Sequence, residues 1–241
     1  MELTDRQIQI LKHVIEEYIG TATPVGSETL DKKYNLGVSP ATIRNEMVQL
    51  TRLGYLKQPH TSAGRIPSPI ALKLYVSKLM NEEDLSVAEE VSVKERMWDV
   101  RADLDDLLRQ ATRTLADKTK CIGMAVTDNH KIYHSGYFHV LDKPEFYDID
   151  VTKTVFSLLD ETDELFAMLE RASGDDPIHI LLGDDFDNKY LEPISIVFSD
   201  FSLGDVRGSI GIVGPARMPF YYVVPLIRHL SLTLQEIAKQ Y

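Results

Sequence analysis

Between residues 39 and 65 the chain concentrates side chains that hydrogen-bond to nucleobases and phosphates. At helical spacing Thr42, Arg44, Asn45, Gln49 and Arg52 fall opposite Ile43, Met47, Leu50 and Leu53, so an apolar stripe would anchor the helix and leave the polar side outward. Arginine matches the two acceptors of guanine, and Asn or Gln the donor and acceptor of adenine, so these are the residue types that read base edges. Ser39 and Thr42, at the positive end of the same helix, suit a phosphate. Any surface helix has a solvated polar face, and for this helix alone that plainer account would stand. A second group shifts the balance: Lys57, His60, Thr61, Ser62 and Arg65 put donors on a glycine-containing turn able to follow a backbone or enter a minor groove, where arginine is favoured. For His60 and Ser62 the alternative is that they only complete a tight turn.

Such side chains need elements to hold them. Thr4 and Gln7 make a capping box ahead of Ile8, Leu11, Val14, Ile15, Tyr18 and Ile19, which predicts a helix over residues 5–19 ended by Gly20 and Pro24. Ser27 is expected to cap a short helix over 28–33, followed by a turn over 34–38. Ser39-Pro40, a cap and then proline at the first helical position, opens a third helix over 40–53 that Gly54 stops. Residues 55–67, short apolar ends around a polar centre with Gly64, read as a β-hairpin, with a helix over 70–80 behind it. Three helices and a two-stranded wing constitute a winged helix-turn-helix.

The overall charge of −11 argues at first against a polyanionic partner. Its distribution reverses that. Residues 1–78 carry ten Lys or Arg against seven Asp or Glu, and within 34–78 six basic residues (Arg44, Arg52, Lys57, Arg65, Lys73, Lys78) face one acid, Glu46. That is a local basic footprint on an otherwise acidic molecule. No apolar run approaches the ~18 residues of a membrane span, and the amphipathic start does not resemble a signal segment, so a cytoplasmic protein with no membrane partner is expected. The single cysteine, Cys121, can form no internal disulfide and is expected to be a buried structural thiol.

Residues 81–92 are acidic and weakly patterned, as a linker would be. Over 93–115 the residues Met97, Val100, Leu104, Leu107, Leu108, Ala111 and Leu115 recur at near-heptad intervals, predicting one long amphipathic helix that either pairs with its copy or packs on its own domain. Beyond it, β-branched runs at 122–127, 178–182, 194–201 and 209–213 alternate with helical spacing at 155–159, 165–171 and 223–238, predicting a mixed α/β domain with the last helix over the sheet. His130, His134 and His139 have neither the spacing nor the thiol partners of a metal site. The acidic run 184–188 lacks the ligand alternation of a calcium loop and reads as a solvated turn. No phosphate-binding loop, dinucleotide fingerprint or nucleophile elbow is present, so neither a cofactor nor catalysis is expected.

The segments PVGSETL and SPATIRNEMVQLTRLGYLKQPHTSAGRIPS closely resemble the HrcA family of bacterial heat-shock repressors, with a dense match over residues 4–80. A looser resemblance over 137–241, in KPEF and SIVFSDFSLGDVRGSIGIVGPARMPF, points to the family's GAF-like domain. The resemblance implies an α+β chain: a winged-helix DNA-binding domain at 1–80, a linker and amphipathic helix at 81–118, and a GAF-like regulatory and dimerising domain at 119–241. It further implies a homodimer on an inverted-repeat operator of double-stranded DNA ahead of chaperone operons, with the chaperonin GroEL as a partner that keeps the repressor active. DNA reading then falls on Thr42, Arg44 and Asn45, and on His60, Thr61, Ser62 and Arg65. The chain departs from the family in length: it is shorter, with the deficit expected between residues 119 and 137, where an inserted domain implicated in dimerisation normally lies. Two other functions compete, a winged-helix regulator whose GAF-like domain binds a small effector, and an enzyme that uses the winged helix only as an interaction module.

Overall fold

The computed structural model describes residues 3–239, and they form two compact units, Met1–Asn81 and Glu82–Tyr241.

In the first unit, helix α1 (Asp5–Thr21) opens with the reciprocal Thr4–Gln7 capping box. It runs two residues past the expected end. Gly20 stays helical, and the stop comes at Ala22, which adopts a left-handed conformation (φ 57°) and donates to the Tyr18 carbonyl. Helix α2 (Ser27–Lys33) begins on Ser27 itself; Gly26 holds the capping position and no side chain caps it. Helix α3 (Pro40–Arg52) follows the Ser39 cap, whose hydroxyl accepts from the Thr42 amide, and the chain leaves it through Gly54 at φ +83°. Ile43, Met47 and Leu50 are buried as the spacing required, whereas Leu53, just past the last helical residue, is 37% exposed. Strands β1 (Leu56–Lys57) and β2 (Ile66–Pro67) pair antiparallel, Leu56 opposite Pro67. Ser68 caps α4 (Pro69–Leu74), which ends in a π turn over Tyr75–Leu79. The core beneath joins Ile10, Leu11, Val14 and Ile15 of α1 to Leu30, Ile43, Leu50 and Leu56.

In the second unit the single helix expected over 93–115 is two helices, α5 (Val87–Trp98) and α6 (Leu104–Thr119). Asp103 turns outward to accept from the Asp106 amide and starts the second one afresh. Residues 87–92, expected in a linker, are helical because Ser86 and Glu89 form a capping box. Of the stripe expected either to pair with its copy or to pack on its own domain, Met97, Leu107, Leu108, Ala111 and Leu115 are fully buried within this one chain, so those side chains are spent on its own core.

That core centres on a five-stranded antiparallel sheet in the order β4-β3-β7-β6-β5, made of β3 (Ile122–Thr127), β4 (Ile132–Ser135), β5 (His179–Leu182), β6 (Ile194–Leu203) and β7 (Val206–Pro215). Helices α6 and α10 (Phe220–Ala238) cover one face. A Cβ on Gly123 would collide with the Thr112 carbonyl, so α6 lies with its backbone against β3. On the other face Ile122, Met124 and Val126 meet α8 (Ile149–Asp160) and α9 (Thr162–Ala172) through Val155, Leu159, Leu165 and Leu169. All six residues of β3 are buried as a result. A short helix α7 (Tyr137–Val140) and a 3-10 turn (Pro144–Tyr147) lead from β4 into α8. The turn is clipped by a bidentate ion pair, Arg217 Nε to Glu145 Oε1 at 2.6 Å and Nη2 to Oε2 at 3.2 Å, both side chains only 13% exposed. Cys121 is buried, and desolvation pushes its thiol up to about 11. The three nearby histidines go separate ways: His130 pairs with Asp163, His134 leans on Tyr137, and His139 points a buried Nε2 at no partner.

Candidate nucleic-acid interface

Helix α3 is fixed to the unit from its inner side. Its apolar stripe is buried, and the Glu46 carboxylate accepts from Gln7 Nε2 of α1 at 3.1 Å with Arg6 at 3.7 Å. The outward side is left unengaged. Arg44, Asn45, Gln49 and Arg52 are exposed, and their side chains make no hydrogen bond or ion pair among the described residues. A guanidinium or carboxamide standing free in water can exchange that water for a base edge without first breaking a bond within the protein, which makes such a row suitable for recognition. Thr42 is half-buried, and its hydroxyl is 3.0 Å from that of Ser39. Ser39 therefore serves the helix first, its oxygen accepting from the Thr42 amide at 3.2 Å.

Helix α2 is locked in turn. Glu17, 8% exposed, takes both oxygens to Lys33 Nζ at 2.7 and 2.8 Å, and that hydrogen bond raises the Lys33 pKa. Lys33 is consequently engaged with α1 despite its exposed position.

The hairpin is tied down at three points. Gln58 Nε2 donates to the carbonyls of Thr61 at 2.9 Å and Ala63 at 3.1 Å, closing the tip. Backbone hydrogen bonds of 2.8 Å run both ways between Val25 and Arg65, ahead of α2. Next to those bonds Gly64 lies so close to the Val25 carbonyl that a Cβ would collide with it and would stand 2.9 Å from the Pro24 carbonyl carbon. Glycine is needed here for want of space, with no positive φ involved.

Arg44 of α3 and Thr61, Ser62 and Arg65 of the hairpin line one cleft of about 420 Å³, together with Gln58 and Ser27. Asn45, Gln49 and Arg52 extend the polar surface along α3 outside that cleft, and Lys57 and His60 are exposed on the hairpin, also outside it. Arg65 differs from the expected outward donor. It is half-buried, its Nε donates to Thr51 Oγ1 at 3.0 Å, and Nη1 stands 3.5 Å from the Ala63 and Gly64 carbonyls. Much of its hydrogen-bonding capacity goes to holding the hairpin against the end of α3. Sequence reasoning missed Gln58, Ser27, Glu46 and Thr51. The first two have no local signature, but a single acid in a basic stretch, as Glu46 is, signals a structural anchor.

A family model described as the HrcA protein C-terminal domain matches residues 72–224. The heat-inducible transcription repressor HrcA of Symbiobacterium thermophilum is 28% identical over 336 aligned positions, covering 98% of this chain and 98% of that protein. Its counterpart in Desulforamulus reducens is 29% identical over 344 positions, covering 99% of each. These alignments are longer than the 241 residues here, so both relatives contain stretches without a counterpart in this chain. Among solved structures, the crystal structure of a hypothetical protein superposes with a TM-score of 0.77 at 17% identity, over 99% of this chain and 98% of that one, and so shares its fold.

Proposed function

We propose, from the premise that this chain belongs to the HrcA family, that it represses transcription of heat-shock genes through a winged helix formed by α3 and the β1–β2 hairpin. In this reading α3 lies in a major groove, Arg44, Asn45, Gln49 and Arg52 address base edges, and Thr61, Ser62, His60 and Lys57 follow the adjoining backbone. Ser39 and Thr42 would meet a phosphate at the start of α3, and Arg65 would set the angle of the hairpin. One observation carries the reading: Arg44 and the tip of the hairpin border the same cleft in the part of the chain where basic residues outnumber acidic ones.

The second unit then serves as a GAF-like regulatory and dimerising domain, so that two copies address an inverted-repeat operator, with the chaperonin GroEL as the partner suggested by the family. A cytoplasmic repressor rather than an enzyme is the corresponding description, and no helix among the described residues is long and apolar enough to cross a membrane.

An effector-controlled variant of this reading has one observation in its favour, a cleft of about 160 Å³ lined by His179, Ser199, Asp200, Arg228 and Ser231. Its polar groups are largely spent on one another. Ser199 bonds to Ser231 at 3.0 Å, Ser231 to the Asp200 carbonyl at 3.2 Å, and the Asp200 carboxylate to Ser209 at 2.7 Å. Few of its polar groups are therefore left for a tightly bound metabolite.

Fluorescence anisotropy against the inverted repeat upstream of the host's chaperone genes tests the proposal. Binding should exceed that of a scrambled duplex, and log affinity should fall linearly with log salt as phosphate counterions are released. A flat salt response, or equal affinity for both duplexes, would remove the DNA-reading role.

A further inference from the structure

The surface that the preceding reading sets against DNA is rich in donors. Lys57, Thr61, Ser62 and Arg65 of the hairpin and Arg44 and Arg52 of α3 bring N–H or O–H groups, as phosphates and base acceptors require. Gln58 differs from them. It is exposed, it lines the cleft with Arg44, and its two N–H groups are already spent, one on the Thr61 carbonyl at 2.9 Å and one on the Ala63 carbonyl at 3.1 Å. Carbonyls only accept, so the carboxamide is seated with its nitrogen toward them and not its oxygen. Oε1 is thereby turned away from those two carbonyls and has no partner among the described residues.

The oxygen is also held in place. Gln58 is the first residue past the β1–β2 ladder, which closes with Lys57 opposite Ile66. Pro59 restricts the Gln58 backbone to extended conformations. The turn that the carboxamide bridges is closed a second time by the Ala63 amide, which donates to the His60 carbonyl at 2.9 Å. An acceptor fixed in this way needs little further ordering when a donor reaches it.

A DNA duplex offers such an acceptor few partners. The oxygens of phosphate and deoxyribose only accept, so along the backbone Oε1 gains nothing. Donors occur on the base edges alone: the amino groups of cytosine and adenine in the major groove and that of guanine in the minor groove. With α3 in the major groove, the hairpin beside it meets the minor one, where the guanine 2-amino group is the single donor. We propose that Gln58 is a specificity-determining residue whose Oε1 accepts from a guanine 2-amino group in the minor groove, selecting a G·C pair beside the bases that α3 addresses. The proposal rests on the winged-helix reading above and extends it, giving base recognition to a hairpin whose other side chains follow the backbone.

The test is fluorescence anisotropy of the full chain and of Gln58→Met on the inverted repeat upstream of the host's chaperone genes, with guanines replaced one at a time by inosine. An inosine–cytosine pair keeps the major-groove edge of G·C and lacks the 2-amino group. For the parent, inosine at one position flanking the α3 contacts should weaken binding about fivefold, the size of one hydrogen bond. For Gln58→Met, guanine and inosine there should bind alike. The ratio of the two affinities is the decisive readout. If Gln58 only braces the tip, the variant weakens both duplexes by one factor and the ratio stays that of the parent; altered flexibility of the inosine duplex likewise acts on both proteins equally. A parent indifferent to inosine throughout, or a ratio that survives in Gln58→Met, overturns the assignment. So does a Gln58-dependent loss on replacing adenine by unsubstituted purine, which would move the contact to the major groove. The inosine scan of the parent needs no variant, so it decides the matter even where thermal unfolding shows Gln58→Met to be misfolded. A parent that prefers the repeat to a scrambled duplex yet ignores inosine loses this inference and keeps the DNA reading; a parent without that preference loses both.

Discussion

Arg44 and Arg217 show how differently the two units use one side chain. Arg44 stands exposed on α3 with no partner among the described residues, as do Asn45, Gln49 and Arg52 beside it. Arg217 is sheathed and bidentate to Glu145, and around it the second unit pairs its charges repeatedly: Arg228 with Glu82, Lys94 with Glu236, Lys131 with Asp105. The charges in these four pairs are consumed by the fold of the second unit, whereas those on the outer face of α3 are kept available. Availability of this kind distinguishes a surface meant for a partner from one that is merely charged.

The sharpest way to break that contrast is to remove the paired acid. Glu145→Ala takes the carboxylate away from an Arg217 guanidinium that lies largely out of water, and a loss of roughly 3 kcal/mol in urea unfolding is expected, since removing one partner of a buried ion pair is costly. A loss under about 1 kcal/mol would mean the pair behaves as a surface ion pair. Arg44→Ala should do the reverse: stability within about 0.5 kcal/mol of the parent, but operator affinity lower by roughly 1 to 3 kcal/mol with relaxed preference at one base position. Unaltered discrimination between cognate and scrambled duplex would displace Arg44 from base reading.

Thr51→Val lies between those two. It deprives Arg65 Nε of its acceptor and should cost about 1 kcal/mol of stability. Because the hairpin loosens as a whole, DNA affinity should weaken without any shift in base preference; a shift confined to one position would instead make Arg65 a direct reader. The smallest expected effect concerns His139. Burial, assisted by Lys120 and Lys143, holds its imidazole below the ordinary 6.5, so the folded state favours the neutral ring. Its contribution is complete above the ordinary value and lost as pH falls through the depressed one. Acidification from neutral pH to about pH 5 should lower the Tm of the parent more than that of His139→Gln; equal losses would assign the acid sensitivity to the carboxylates.

The first unit was legible because its signals are local. The Thr4 box, the Ser39-Pro40 opening and the glycine at 54 each fix a boundary within a few residues. What escaped depends on groups distant in sequence. Nothing near Arg65 shows that it turns inward toward Thr51, fourteen positions away. Strand β4 reads Ile-Tyr-His-Ser and lacks the apolar run of a buried strand because it lies at the sheet edge. The division of α5 from α6 was hidden because Met97, Val100 and Leu104 keep near-heptad spacing straight through the turn. One local signal was simply passed over: Ser86-Val-Ala-Glu89 is a capping box, and it marks the start of α5 in the acidic stretch.

The bare α-carbon of Gly64 decides how the hairpin can be engineered. With only a hydrogen between it and the Val25 carbonyl, the loop is seated in the entry to α2 as a key is in its wards, and it has no room to rock. Adjustment to a new duplex is left to the tip side chains, Thr61 and Ser62 foremost. A graft of this loop onto another scaffold would have to bring Pro24 and Val25 with it, or the transplanted tip would point elsewhere.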